Sequence, residues 1–224
     1  AALLAARRRL GRRREAVAHR GAGRVVRWAT ARGGDEASTK LLVWAREAGA
    51  EISPKLTFVP TEGARGPRKV VCTSDIEEGE VLVRIPAPLT LSVDMSPDSR
   101  PPDGMEELAG WWGEHQRATI RLAAVLVWQR ERFRPYIDML PALEQIQAPW
   151  LWDDDTLEFI PTALANKAKA RRVAMESAWN DLVYEGLDEK IPRDLFYRAH
   201  HAVASRAFTG ARQAPLVPLL GGAA

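Results

Sequence analysis

The residues of this chain that could do chemistry are few and scattered. His200 and His201 are adjacent, so on a helix they point in different directions and cannot act as the i, i+4 pair that holds one metal ion. His115 stands beside Trp111 and Trp112 with no carboxylate at a useful spacing. All three are read as ordinary core or surface histidines. Asp153, Asp154 and Asp155 follow Trp152. Three carboxylates could gather a cation, but they better fit the first turn of a helix, where negative charge meets the positive end of the helix dipole. Cys72 is the one cysteine, which excludes a disulfide framework and a cysteine-based zinc site. It lies in a strand-like run with no His or Lys beside it to lower its pKa, so it is read as structural. Ser38 and Ser205 join no Ser-His-Asp pattern. Gly63-Ala64-Arg65-Gly66 precedes a strand rather than a helix, so it is not a phosphate or dinucleotide loop.

The elements that would position these residues are easier to find. Ser38 is placed to cap a helix whose apolar face begins at Leu41, Leu42, Val43, Trp44 and Ala45, and Gly49 suits its end. Residues 69–73 and 81–85 are apolar and β-branched runs around Gly79, and they predict a hairpin with a longer connection. Pro86 and Pro88 bound a third short strand, "LTLSV". The prolines of "SPDSRPPDGME" make a loop. From Glu106 the period turns helical: Ile120, Ala123, Ala124, Val127 and Trp128 share one side, with Arg and Gln opposite. Pro135, Pro141 and Pro149 interrupt the next segment. A long helix ends near Gly186, another follows with Pro192 in its first turn, and "APLVPLL" is a short strand-like piece. No internal repeat is present. The fold class is α+β.

Composition bounds the partners. With 224 residues, 46% of them apolar and eight of them Trp, the chain can bury a sizeable core. No apolar run is long enough to span a bilayer, so a soluble protein with no membrane partner is expected. The net charge of +3 conceals two unlike parts. Residues 1–34 hold ten Arg and one acid, Glu15, which leaves 22 Lys and Arg against 28 Asp and Glu in residues 35–224, a net of −6. A mildly acidic body argues against nucleic acid as its partner. The Ala- and Arg-rich head, residues 1–36, has the composition of an organellar transit peptide. The competing readings are an arm that binds nucleic-acid phosphates with salt-sensitive affinity, and a disordered basic tail with no partner.

Four stretches, in order and at suitable spacing, resemble one family: "LLVWAREAGAEI", "CTSDIEEGEVLVRIPAPLTLS", "RPYIDMLPALEQIQAPWLW" and "VASRAF…APLVPL". The pairing of "EEGEVLVRIP" with "PYIDMLP" is the strongest signal. The family is the SET-domain protein methyltransferases of the Rubisco large-subunit methyltransferase type, and the resemblance covers residues 38–220. It implies a small β-rich SET unit with a mostly helical insert: SET residues at 37–100, the insert at 101–190, and a return to the SET core at 191–224. It implies S-adenosyl-L-methionine as cofactor, a lysine (sometimes a histidine) of a protein as substrate, and no metal in the core reaction. A plastid location follows by association with the Rubisco type and from the basic head; the alternatives are the mitochondrion, or the cytoplasm and nucleus.

The family's early Gly-x-Gly turn lets the backbone approach the cofactor. Its counterpart here is "GARGPRKVVCT": either Gly63 to Gly66 is that turn, followed by an insertion of Pro67, Arg68 and Lys69, or the glycines are replaced. The arginine before the active-site segment matches Arg206. The resemblance therefore assigns Gly63, Arg65, Gly66 and Arg206 to cofactor binding. In relatives a stretch like "APLVPL" runs on to an Asp, an Asn-His pair and a later catalytic tyrosine, whereas here it runs into "LLGGAA". The expectation is a SET domain cut short, for which no catalytic residue is assigned. The alternative is a non-catalytic interaction module derived from such an enzyme.

Overall fold

A computed structural model of the chain describes residues 36–60, 68–94, 96, 98–115, 117–209 and 215–216. The first helix, α1, is Glu36–Glu47. It begins before Ser38, which is not its cap but a buried residue of its first turn, 1% exposed. Leu41 and Ala45 sit one turn apart on the buried side. The helix ends as its glycine requires: Gly49 has φ +92°, and Ala50 N–H reaches back to Ala45 O at 2.8 Å.

The β-unit differs from expectation. Strand β1, Glu51–Ile52, pairs antiparallel with β4, Val83–Arg84; β2, Leu56–Pro60, pairs antiparallel with β3, Arg68–Cys72. Residues 69–73 and 81–85 thus do not form one hairpin; each takes an earlier strand as partner. The reason is "KLTFVP", a strand that ends on a proline and so carries a weak signal. Lys55 and Glu80 tie the two ladders with a 2.7 Å ion pair. "LTLSV" is not a strand either. Pro86 and Pro88 lack the N–H groups a ladder needs, and Ala87–Leu89 closes into a 3-10 turn. Leu89, Leu91 and Val93 still alternate into the core, each below 5% exposed.

Helices build the rest: α2 Ala109–Glu114, α3 Ala118–Trp128, α4 Arg134–Ile137, α5 Asp154–Leu157, α6 Thr162–Tyr184 and α7 Arg193–Arg206. A short pair, β5 Phe208–Thr209 with β6 Pro215–Leu216, follows antiparallel. The expected one-sided α3 is instead buried all round: every residue from Ile120 to Val127 is buried, Arg121 included. It is the central helix and packs on α7, whose Ala199, Ala202 and Val203 keep the contact close. The long α6 shows the core a narrow stripe of Ala165, Ala168, Met175, Ala178 and Leu182. Its end at Gly186, φ +70°, falls where the sequence places it. The fold is α+β. Among the described residues, no helix is long and apolar enough to cross a membrane.

Candidate functional site

Of the four residues assigned to cofactor binding, Gly63, Arg65 and Gly66 lie outside the described residues, in the connection between β2 and β3. Arg206 is described. It is the last residue of α7, separated from β5 by Ala207 alone, and is half-buried. Pro192 is the N-cap of that helix rather than part of its first turn. Phe196, Ala199 and Val203 pin the helix to the core, so the position of Arg206 is set by packing rather than by a loop. Its neighbour is His201. Burial holds the His201 pKa below its ordinary value, and the charges of Arg206 and then Arg171 push the same way. Arg206 has no ion pair among the described residues. A half-buried guanidinium of this kind could hold the carboxylate of an amino-acid-bearing cofactor such as S-adenosyl-L-methionine.

Six residues earlier on α7, His200 is 2% exposed and its Nδ1 has no hydrogen-bond partner among the described residues. Its ring stands edge-on to Trp150, centroids 5.6 Å apart, and the Arg171 guanidinium lies 5.9 Å from the same indole. Burial, with Arg171, His201 and Arg117 nearby, lowers the His200 pKa to about 3. His200 lines an open cleft of about 480 Å³ between the start of α3, the middle of α6 and α7. A second open cleft, about 450 Å³, lies between the end of α1 and β1, beside Arg46, Ser53 and Val81.

The remaining sequence candidates are structural. Asp153 caps α5, its Oδ1 accepting from Thr156 N–H at 2.6 Å, which holds its carboxyl below the usual range. Asp154 pairs with Arg172 at 2.9 Å and Lys169 at 3.6 Å. These carboxylates are a helix start, as their order in the sequence implies. His115 does have a carboxylate, contrary to expectation: Asp181 Oδ2 is 3.0 Å from its Nε2. The two are far apart in sequence and meet only because α2 packs on α6. Burial pushes the His115 pKa down, and Asp181 partly offsets this. Cys72 ends β3 with its thiol exposed. Sequence reasoning missed the group around His200. Its one legible trace was Lys167 and Arg171 at i, i+4, which places two cations on one helix face.

The class of domain that this arrangement matches is the SET domain. The chain superposes on the crystal structure of the SET domain of LSMT bound to lysine and AdoHcy with a TM-score of 0.62 and 17% identity, covering 84% of this chain and 44% of that one. At such an identity the likeness establishes the fold. In sequence it is similar to two proteins named N-lysine methyltransferase setd6. That of Xenopus tropicalis is 23% identical over 122 residues, 51% of this chain and 25% of the relative. That of Xenopus laevis is 22% identical over 125 residues, 52% of this chain and 26% of the relative. The chain thus spans about a quarter of the length of these curated relatives. No family model matches the sequence.

Proposed function

We propose that this chain is part of a SET-type protein-lysine N-methyltransferase that uses S-adenosyl-L-methionine and acts on a lysine of a protein. The observation that carries this reading is the SET-domain likeness over 84% of the chain. The similarity to lysine methyltransferases supports it independently. When bound, the cofactor supplies the methyl group: the lysine nitrogen's lone pair forms the new N–C bond as the S–C bond breaks, leaving S-adenosylhomocysteine, after the lysine proton has gone to solvent.

The chain's own residues hold and align. Arg206 grips the cofactor's carboxylate, and the packing of α7 on α3 holds that guanidinium still, which is what an in-line transfer needs. Gly63, Arg65 and Gly66 are proposed to complete the cofactor site, as the resemblance assigns them. The basic head, residues 1–36, is proposed as an organellar targeting segment, with the plastid as its destination.

The test is calorimetric titration with S-adenosylhomocysteine of the longest polypeptide that contains these residues. Wild-type protein binds. Arg206→Ala loses a charge-assisted contact worth about 1.5–3 kcal/mol, so binding weakens by about ten- to a hundredfold. A wild-type protein that binds nothing, and adds no methyl group to lysine peptides by mass spectrometry, leaves the non-catalytic interaction module as the better reading.

A further inference from the structure

The cleft beside His200 has no role in the reading above, and Arg206 does not line it. Its rim is cationic. Arg117 stands at the N-cap of α3, and Lys167 and Arg171 lie four residues apart on α6. None of the three has an ion pair among the described residues. Their neighbours do: Lys169 and Arg172 pair with Asp154, and Arg198 pairs with Asp194 at 3.4 Å. In a body with a net charge of −6, three cations around one cleft, none of them ion-paired among the described residues, give that cleft a local positive charge that an acidic ligand would match.

Two further features bear on the cleft. Among the described residues no side chain caps the start of this 11-residue helix, and since Ile120 N–H already reaches Arg117 O at 3.0 Å, the N–H groups of Ala118 and Thr119 are the ones an outside acceptor would take. His200 lines the wall and is 2% exposed, so its ring reports on whatever fills the cleft. Three cations and a helix N-terminus together make a site for an anion. The rest of the wall is apolar, formed by Ile120, Ala174 and Met175. A free inorganic anion would leave that surface and most of the 480 Å³ uncovered. A nucleic acid would carry its phosphates beyond the three cations and over the acidic body, whereas a short acidic segment can keep its carboxylate among them.

We propose that this cleft docks an acidic segment of a protein partner, with one carboxylate side chain set among Arg117, Lys167, Arg171 and the open end of α3, and a neighbouring apolar side chain on Ile120, Ala174 and Met175. The docking needs no methyl transfer and is measured without cofactor, so it stands or falls apart from the enzymatic reading.

The ten-Arg head also attracts acidic peptides, so the readout has to be local. Full-length chain labelled with 15N-histidine is titrated with a short peptide of Glu, Leu and Ala, and the ring signals of His200 are followed by NMR. They are assigned by elimination with His19→Gln, His115→Gln and His201→Gln, so no variant of His200 itself has to fold. The Glu peptide should shift the His200 signals saturably, and the same peptide with Gln for Glu should not. Arg117→Gln with Lys167→Gln, both exposed side chains, should weaken the interaction by about tenfold or more. Lys40→Gln, on the exposed side of α1, should leave it unchanged. The proposal is overturned if His200 does not respond, if the Gln peptide acts equally, if the double variant binds as wild type, or if Lys40→Gln weakens binding as much. It is equally overturned if inorganic phosphate or S-adenosylhomocysteine displaces the peptide from His200.

Discussion

His200 is surrounded by apolar and cationic neighbours: Trp150 against its ring, with Arg171, Arg117 and His201 close enough to disfavour a second positive charge. Its pKa of about 3 in the folded chain compares with 6.5 for a free histidine. The sign follows. Between these values the unfolded chain binds a proton that the folded chain refuses, so stability is full above about pH 6.5 and falls as the pH drops towards 3. At about 1.4 kcal/mol per pH unit, acidification from pH 6.5 to about 4 costs about 3 kcal/mol from this residue alone. The half-buried His115 and His201, also lowered, add to the same trend. Urea unfolding across this range should show the loss, and His200→Phe, which keeps the ring and removes the titration, should flatten the slope. An unchanged slope in that variant would assign the acid sensitivity to the carboxylates instead.

At the scale of elements, one buried side chain joins the Pro-rich loop to the helical block. Arg121 is 2% exposed on the central helix α3. Its Nε donates to His115 O at 2.7 Å, one terminal nitrogen to Ser99 Oγ at 2.7 Å and the other to Trp112 O at 2.8 Å. Its plane lies over the Trp112 ring at 4.7 Å. Burial lowers its pKa, and Asp94 opposes the shift. Arg121→Met keeps the stem but strands those acceptors, at about 1–3 kcal/mol for each one that water cannot reach. A fall in the denaturation midpoint of several kcal/mol equivalents is expected, with Arg121→Lys intermediate. A Met variant as stable as wild type would mean that the loop is held by its prolines and not by this side chain. Nothing in "RATIRLAAVLVW" marks Arg121 as an inside residue, because a helix buried on every side has no face for periodicity to find. The helices α6 and α7 were legible because Gly186 and Pro192 punctuate them. The strand runs at 69–73 and 81–85 and the piece at 215–216 were legible too, but the pairing of the first two was not. Ladders of two to five residues are chosen by which segments meet, and Pro60 hides the partner that β3 takes. The His115–Asp181 contact and the cation-rimmed cleft fail the same way, since each is assembled from different helices. Arg206 was singled out only through resemblance, since as a spacing it is one more charge on a helix.

The whole molecule carries its charge in two parts, and this decides what it attracts at long range. The pI of about 9.2 describes neither part. Residues 1–34 contribute ten Arg against one Glu, while residues 35–224 carry a net of −6. Polyanion binding by the full chain should therefore come from the head, weaken steeply with salt as condensed counterions are released, and lack sequence preference. Deleting residues 1–34 turns the net charge from +3 to −6 and should abolish retention on immobilised DNA at low salt. The same deletion should leave S-adenosylhomocysteine affinity unchanged, because Arg206 and the helices that hold it belong to the other part. The acidic-peptide response at His200 should also survive, since the cleft cations are local and reach about 8–10 Å at moderate salt. If the shortened chain still binds DNA with the same salt slope, the basic surface that matters is the one around Arg117, Lys167 and Arg171. The acidic body would then be a poor guide to its partners, and phosphate rather than carboxylate would become the group to test there.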